Sequence, residues 1–248
     1  MDERQTFREA AHEHGLPGEA VDWWLQLARP RLELTRAGDG PVVGRFGGRP
    51  ALPVGVEWPR KMACLATVDL AAIPAGSHDL NLPARGHLVF FAEPEIVPDD
   101  CTVIYVPAGV PVLEQSRPDD AHPRVYESFP LHSRPGWSMP RERWQSTFDL
   151  GDSIHDEGAI GSIMGELDAG DDFQVAIGGY GDECTSGVGN PLESPAAEVL
   201  LGQVYLSDDL VGQDFGGSGL CIVSFLIAHP DLAARQFDKA RFASDFMG

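Results

Sequence analysis

Near the start of the chain, apolar and polar residues alternate with the period of a helix face. Phe7, Ala10, Ala11 and His14 share one side and stop at Gly15, and Val21, Trp24, Leu25 and Ala28 repeat the pattern up to Pro30. This spacing predicts two helices over residues 1–30, packed as a helical hairpin. Beyond Pro30 the pattern shortens toward that of strands. Apolar runs at 31–36, 42–46, 62–70, 87–92 and 102–106 are separated by clusters of Gly, Pro and Asp, which predicts a mostly antiparallel sheet.

The segment 116–140 carries five prolines and reads as a long connection. After it, Ile160, Ile163, Met164 and Leu167 mark one more helix, although Gly161 and Gly165 each cost it about 1 kcal/mol relative to Ala. The run Cys64 to Leu70, followed by Gly86 to Phe91, has a counterpart in Leu200 to Leu206 followed by Gly219 to Phe225. Both read strand, polar turn, glycine, strand. The expected fold is therefore α+β: an N-terminal helical pair (1–30), a first β-rich half (31–115), the Pro-rich connection (116–140) and a related second β-rich half (141–248).

Charge sets the two halves apart. The chain of 248 residues has 18 Lys and Arg against 38 Asp and Glu, a formal charge of −20. Between Arg143 and Arg235 there is no Lys or Arg, and residues 144–234 contain 16 acids. A surface of this sign repels nucleic-acid backbones and anionic membranes, so neither is an expected partner. A solvated acidic face and a site for a basic protein both account for the tract. No apolar window approaches the roughly 18 residues of a membrane span, and Met1-Asp2-Glu3-Arg4 leads into a polar stretch unlike an export signal. The expected location is the cytoplasm.

Familiar catalytic patterns are missing. Gly217-Ser218-Gly219 lacks the spacing of a nucleophile elbow, and no glycine-rich segment ends in Gly-Lys-Ser/Thr. The run Ile177-Gly178-Gly179-Tyr180-Gly181 opens into Asp182-Glu183, whose charges disfavour a phosphate, so it reads as a turn. His12 and His14 lie two apart, on different sides of a helix. Asp168, Asp171 and Asp172, and likewise Asp208, Asp209 and Asp214, do not alternate as in a calcium loop. Cys64, Cys101, Cys184 and Cys221 form no CxxC pair, and Cys64 and Cys221 fall inside apolar strands. No metal or cofactor is expected. Trp58, Trp137 and Trp144 read as wedges beneath Pro-containing loops.

The segment from Phe46 to Pro59, Phe-Gly-Gly-Arg-Pro-Ala-Leu-Pro-Val-Gly-Val-Glu-Trp-Pro, is more specific. It resembles the Gly-Gly-x-Pro-x-Leu-Pro-x-x-x-x-Trp-Pro signature of the YwqG-like family, a bacterial family of unknown function. Leu65 to Leu70, Gly86 to Phe91, Gly178-Gly179-Tyr180, and Leu200 to Asp209 with Gln203, Ser207 and Asp208 resemble later segments of that family, over roughly residues 44–246. The chain departs from it at Phe215-Gly216-Gly217-Ser218-Gly219, where the family commonly has Trp-Gly-Asp-x-Gly, and at Gly181, where it has Pro. The resemblance implies an α+β protein with two related β-rich halves and an immunity or antitoxin role, and it brings no catalytic residues. Two readings follow. One is a cytoplasmic protein-binding or immunity-type protein acting on a basic partner through its acidic half. The other is an enzyme or small-ligand sensor with a cleft between the halves, lined by Arg49, Trp58 and Tyr180 from the signature loop and the glycine turn. Oligomeric state is not legible in the sequence.

A tract this acidic repels itself, so salt should raise the melting temperature. General screening predicts that a monovalent salt at matched ionic strength reproduces most of any calcium effect. A saturable, calcium-specific gain lost on Asp208→Ala would instead reveal a cation site at Asp208, Asp209 and Asp214.

Overall fold

The computed structural model describes residues 3–93, 100–116, 125–139, 163, 173–181, 198–212 and 219–247. Two helices open it, α1 (Glu3–Glu13) and α2 (Gly18–Leu27). Their apolar sides bury Phe7, Ala11, Val21, Trp24 and Leu25 together with Met139, Ile163 and Tyr180, so the helical pair is anchored on the rest of the chain. The helix expected around residues 160–167 lies, except for Ile163, outside the described residues.

The described strands are β1 (Arg29–Thr35), β2 (Val42–Phe46), β3 (Ala51–Pro53), β4 (Ala63–Asp69), β5 (His87–Ala92) and β6 (Cys101–Val106). They continue with β7 (Val112–Glu114), β8 (Phe129–Ser138), β9 (Val175–Ile177), β10 (Glu198–Ser207), β11 (Leu220–Ala228) and β12 (Arg241–Met247). Two short helices, α3 (Asp208–Val211) and α4 (His229–Ala233), and a 3-10 turn (Phe237–Lys239) join the last strands.

The expected α+β arrangement of two β-rich halves is not what forms. The described residues are mostly β, and ten of the described strands make one antiparallel sheet in the order β12-β11-β10-β9-β1-β8-β2-β4-β5-β6, with β3 and β7 as a separate ribbon. The reason lies in β1. It pairs with β8 along one edge, Arg29 opposite Ser138 through Thr35 opposite His132, and with β9 along the other, Leu32 opposite Ile177 through Leu34 opposite Val175. One strand near the N-terminus therefore joins the ladder built from the middle of the chain to the ladder built from its end. The sheet curls until its two end strands approach. Tyr105 of β6 packs on Phe237 with ring centroids 5.4 Å apart, and the Cys101 thiol donates to the Ala240 carbonyl at 3.9 Å. The result is a nearly closed barrel in which the turn at 237–240 covers the edge of β6.

The interior is one apolar cluster drawn from both parts of the chain, including Leu32, Leu34, Phe46, Phe90, Val204 and Phe225. The rings of Phe90 on β5 and Phe225 on β11 meet edge to face at 5.0 Å. A Cβ added to Gly202 would stand 3.0 Å from Phe90 and 3.2 Å from Ile177, so this glycine leaves the room the contact needs. Each of the two long hairpins carries a β-bulge, between Cys64 and Ala66 on β4 and between Leu200 and Gly202 on β10.

The proline-rich segment contains a ten-residue strand, β8. Pro130 stands opposite Arg45 where β8 is paired with β2, and Pro135 stands opposite Leu32 where it is paired with β1. At each proline β8 has a registered neighbour on one side only, which lets the missing N–H face the unpaired side.

Truncating Phe225 to Ala should cost about 3–5 kcal/mol in equilibrium urea unfolding, because it empties the contact with Phe90. Leu113→Ala, on the exposed ribbon, should stay within about 0.5 kcal/mol.

Candidate functional site

The signature loop wraps the outer face of β4, β5 and β6. Gly47 and Gly48 both adopt positive φ, +55° and +74°. Their amides donate to the Leu65 and Tyr126 carbonyls at 2.8 and 3.1 Å, which ties the loop to β4 and to the approach to β8. Trp58 is buried, donates its indole N–H to the Met62 carbonyl at 2.7 Å, and meets Phe91 edge to face at 5.7 Å. Leu52, Met62, Cys64, Val89 and Val106 complete this outer cluster. Arg49 is exposed, and its carbonyl accepts from Arg45 Nη2.

Tyr180 lies elsewhere. It is buried with the N-terminal helices, where its hydroxyl donates to the Leu27 carbonyl at 3.0 Å and its amide donates to Ser138 Oγ at 2.8 Å. The Arg29 guanidinium sits 4.6 Å from the ring centroid. Burial raises the phenol above its ordinary value, with Arg29 opposing the shift. Just before it, Gly178 and Gly179 turn the chain at φ of +73° and +70°, and the Gly179 amide donates to Asp79 Oδ1 at 3.0 Å. Asp79 Oδ2 lies 3.8 Å from Arg29 Nη1. Four stretches of chain distant in sequence converge here: the start of β1, the β4–β5 loop, the end of β8 and the turn after β9. Trp58 and Tyr180 thus belong to separate apolar clusters and Arg49 to the surface, so the structure does not bring the three together.

A polar assembly that the sequence reading missed continues from this turn along the outer face of the sheet. Arg31 and Glu33 on β1 are both buried, and Arg31 donates to Glu33 Oε1 through Nη2 at 2.8 Å and Nε at 3.2 Å. Arg134 on β8, partly exposed, donates through Nε to Glu33 Oε2 at 2.8 Å. A Cβ on Gly136 would approach the Glu33 carboxyl carbon to 2.7 Å, so glycine there makes room for the carboxylate. The Arg31 guanidinium lies 4.9 Å from the Phe173 ring, which meets Tyr205 edge to face at 4.8 Å. Tyr205 in turn donates to Gln203 Oε1, and Gln203 donates to Ser224 Oγ, each at 2.7 Å. Registry explains the line: Arg134, Glu33, Ala176, Gln203 and Ser224 stand opposite one another across β8, β1, β9, β10 and β11. The alternation Arg29, Arg31, Glu33, Thr35 was the available signal, but alternation alone reads as a solvated face.

Other candidates resolve into structural roles. Ser207 caps α3, accepting from the Leu210 amide at 3.2 Å, and Asp208 and Asp209 occupy its first turn, where carboxylates favour the helix dipole. Asp214 and the acids at 168, 171 and 172 lie outside the described residues, as do Trp144, Cys184 and residues 215–218. Burial pushes the thiols of Cys64 and Cys101 up to about 12, which leaves both poor nucleophiles. Among the described residues no group of three His, Cys, Asp or Glu side chains could hold a metal ion, and no helix is long and apolar enough to cross a membrane.

Chemically, the assembly holds charge rather than moving it: the Glu33 carboxylate is gripped by two guanidinium groups. Replacing Glu33 by Ala removes the buried carboxylate to which both Arg31 and Arg134 donate and should cost about 3–5 kcal/mol in urea unfolding. Arg134→Ala leaves the Arg31–Glu33 pair intact and should cost no more than about 1 kcal/mol.

No curated protein matches this chain. A family model described as Domain of unknown function (DUF1963) matches residues 44–245, a span that begins in β2 at the signature loop and ends within β12. The match covers most of the sequence and nine of the ten strands of the large sheet, and the chain belongs to the DUF1963 family.

Proposed function

We propose that the chain is a cytoplasmic binding protein of the YwqG-like kind that takes up a basic protein partner, as an immunity protein does, through its acidic tract from 144 to 234. The observation that carries this reading is the tract from 144 to 234, with 16 acids and no Lys or Arg. Two of the acids are matched by bases from beyond the tract, Glu198 by Arg241 and Asp231 by Lys239, and Asp208 and Asp209 serve the start of α3. The other acids belong to stretches that enter or leave β9, β10 and β11, strands held in register by the polar row. A surface of one sign steers an oppositely charged partner and loses that steering as salt screens it. The enzyme or small-ligand reading has narrower support: of Arg49, Trp58 and Tyr180, only Tyr180 lies where several segments and charged groups converge.

The test is a pull-down from the organism that encodes the chain, at low and high salt, followed by reconstitution with the protein recovered. A basic partner should bind at low salt, and its binding should weaken at high salt and on combining Asp182→Asn, Glu183→Gln and Glu193→Gln. Recovery of no basic protein in either condition would sink the reading.

A further inference from the structure

We propose that His78 makes the docking of the β4–β5 loop onto the Gly178–Gly179 turn acid-labile, so that the loop is latched at neutral pH and released in mild acid. Three contacts build the latch. His78 Nδ1 accepts the Leu80 amide at 3.1 Å, which folds residues 78–80 back on themselves and directs Leu80 into the main apolar cluster. Asp79, between them, accepts the Gly179 amide and faces Arg29. A Cβ on Gly178 would stand 2.8 Å from Asp79 Oδ1 and 3.2 Å from the His78 Cβ, so the loop packs closely on the turn at a point where Gly178 bears no side chain.

An imidazole can accept at Nδ1 only while that nitrogen is unprotonated. Protonation replaces the acceptor with a second donor aimed at the Leu80 N–H, and the turn that positions Asp79 loses its internal bond. Charged and titratable groups described near His78 come from three elements. Asp79 is adjacent on its own loop, β1 contributes Arg29 beyond Asp79, and the glycine turn contributes the Tyr180 phenol beneath Arg29. Burial holds the imidazole below its ordinary 6.5, and the negative charge of Asp79 and the hydrogen bond with the Leu80 backbone oppose this only in part. The sign follows: the docked loop prefers neutral His78, so docking is fully favoured above the ordinary histidine value and weakens as pH falls from it toward the lower docked-state value.

Amide hydrogen exchange on the full chain reads the latch directly, at the Leu80 and Gly179 amides. On going from about pH 8 to about pH 5, protection at both, corrected for intrinsic rates, should drop by about tenfold or more, while core amides such as Val204 keep theirs. His78→Asn retains a side-chain acceptor that does not titrate, and should hold both amides protected at both pH values. Wild-type protection that stays constant over this range overturns the proposal on its own, whether or not the variant folds. An equal loss in His78→Asn overturns it as well, since the release would then come from another group.

Discussion

β1 is the strand on which the rest of the molecule depends, because it is paired along both edges by partners from distant parts of the chain. β8 reaches it from the middle and β9 from the second part, and without this bridge the ladder β2-β4-β5-β6 and the ladder β10-β11-β12 would each present an open edge. Its inward side chains, Leu32 and Leu34, are fully buried in the shared interior. Its outward ones, Arg29, Arg31 and Glu33, organise the polar row and the glycine turn. A single seven-residue segment thus fixes the interior, the outer charges and the register between the two ladders. The contact of Phe90 with Phe225 is the packing counterpart of that pairing, since it can form only when both ladders share one barrel.

A buried carboxylate between two guanidinium groups contributes little net stability compared with an apolar core, because desolvation offsets most of the attraction. Its effect is on register. Slipping β1 against β8 by one residue would turn Glu33 away from Arg134 and drive it toward the apolar interior. Tyr205, Gln203 and Ser224 extend the same constraint to β10 and β11 through hydrogen bonds rather than charge. The acidic stretches joined to these strands therefore start from a frame whose register is fixed.

Much of the local structure was legible because it rests on short-range pattern. The breaks at Gly15 and Pro30 delimit α1 and α2, and the apolar runs at 42–46 and 87–92 coincide with β2 and β5. Trp58 beneath the signature loop follows from the same physics, a large apolar ring beside prolines that stiffen the path. What the sequence concealed is long-range. The five prolines of 116–140, two of them inside β8, disguised that strand, because proline is tolerated where a strand is paired on one side and no local rule says which side that is. Three-residue strands such as β9 are too short to show a period, yet β9 is the piece that joins β1 to β10. The likeness of the hairpins at 64–91 and 200–225 suggested two separate halves; pairing through β1 and β9 merges them. Of the candidate residues, Tyr180 could be placed on a turn, but its neighbours Arg29, Asp79 and Ser138 come from segments between about 40 and 150 positions away, a distance at which a single sequence carries no signal.

The chain contains natural reporters on either side of the β1 bridge: Cys64 in β4 and Cys221 in β11 are free and buried. Labelling with a thiol reagent across a urea titration, with the modified peptides resolved by mass spectrometry, asks directly whether the two ladders are one cooperative structure. A sheet held together by β1 requires Cys64 and Cys221 to become reactive over the same transition, with one midpoint. Exposure of Cys221 at a clearly lower urea concentration, with Cys64 still protected, would contradict it.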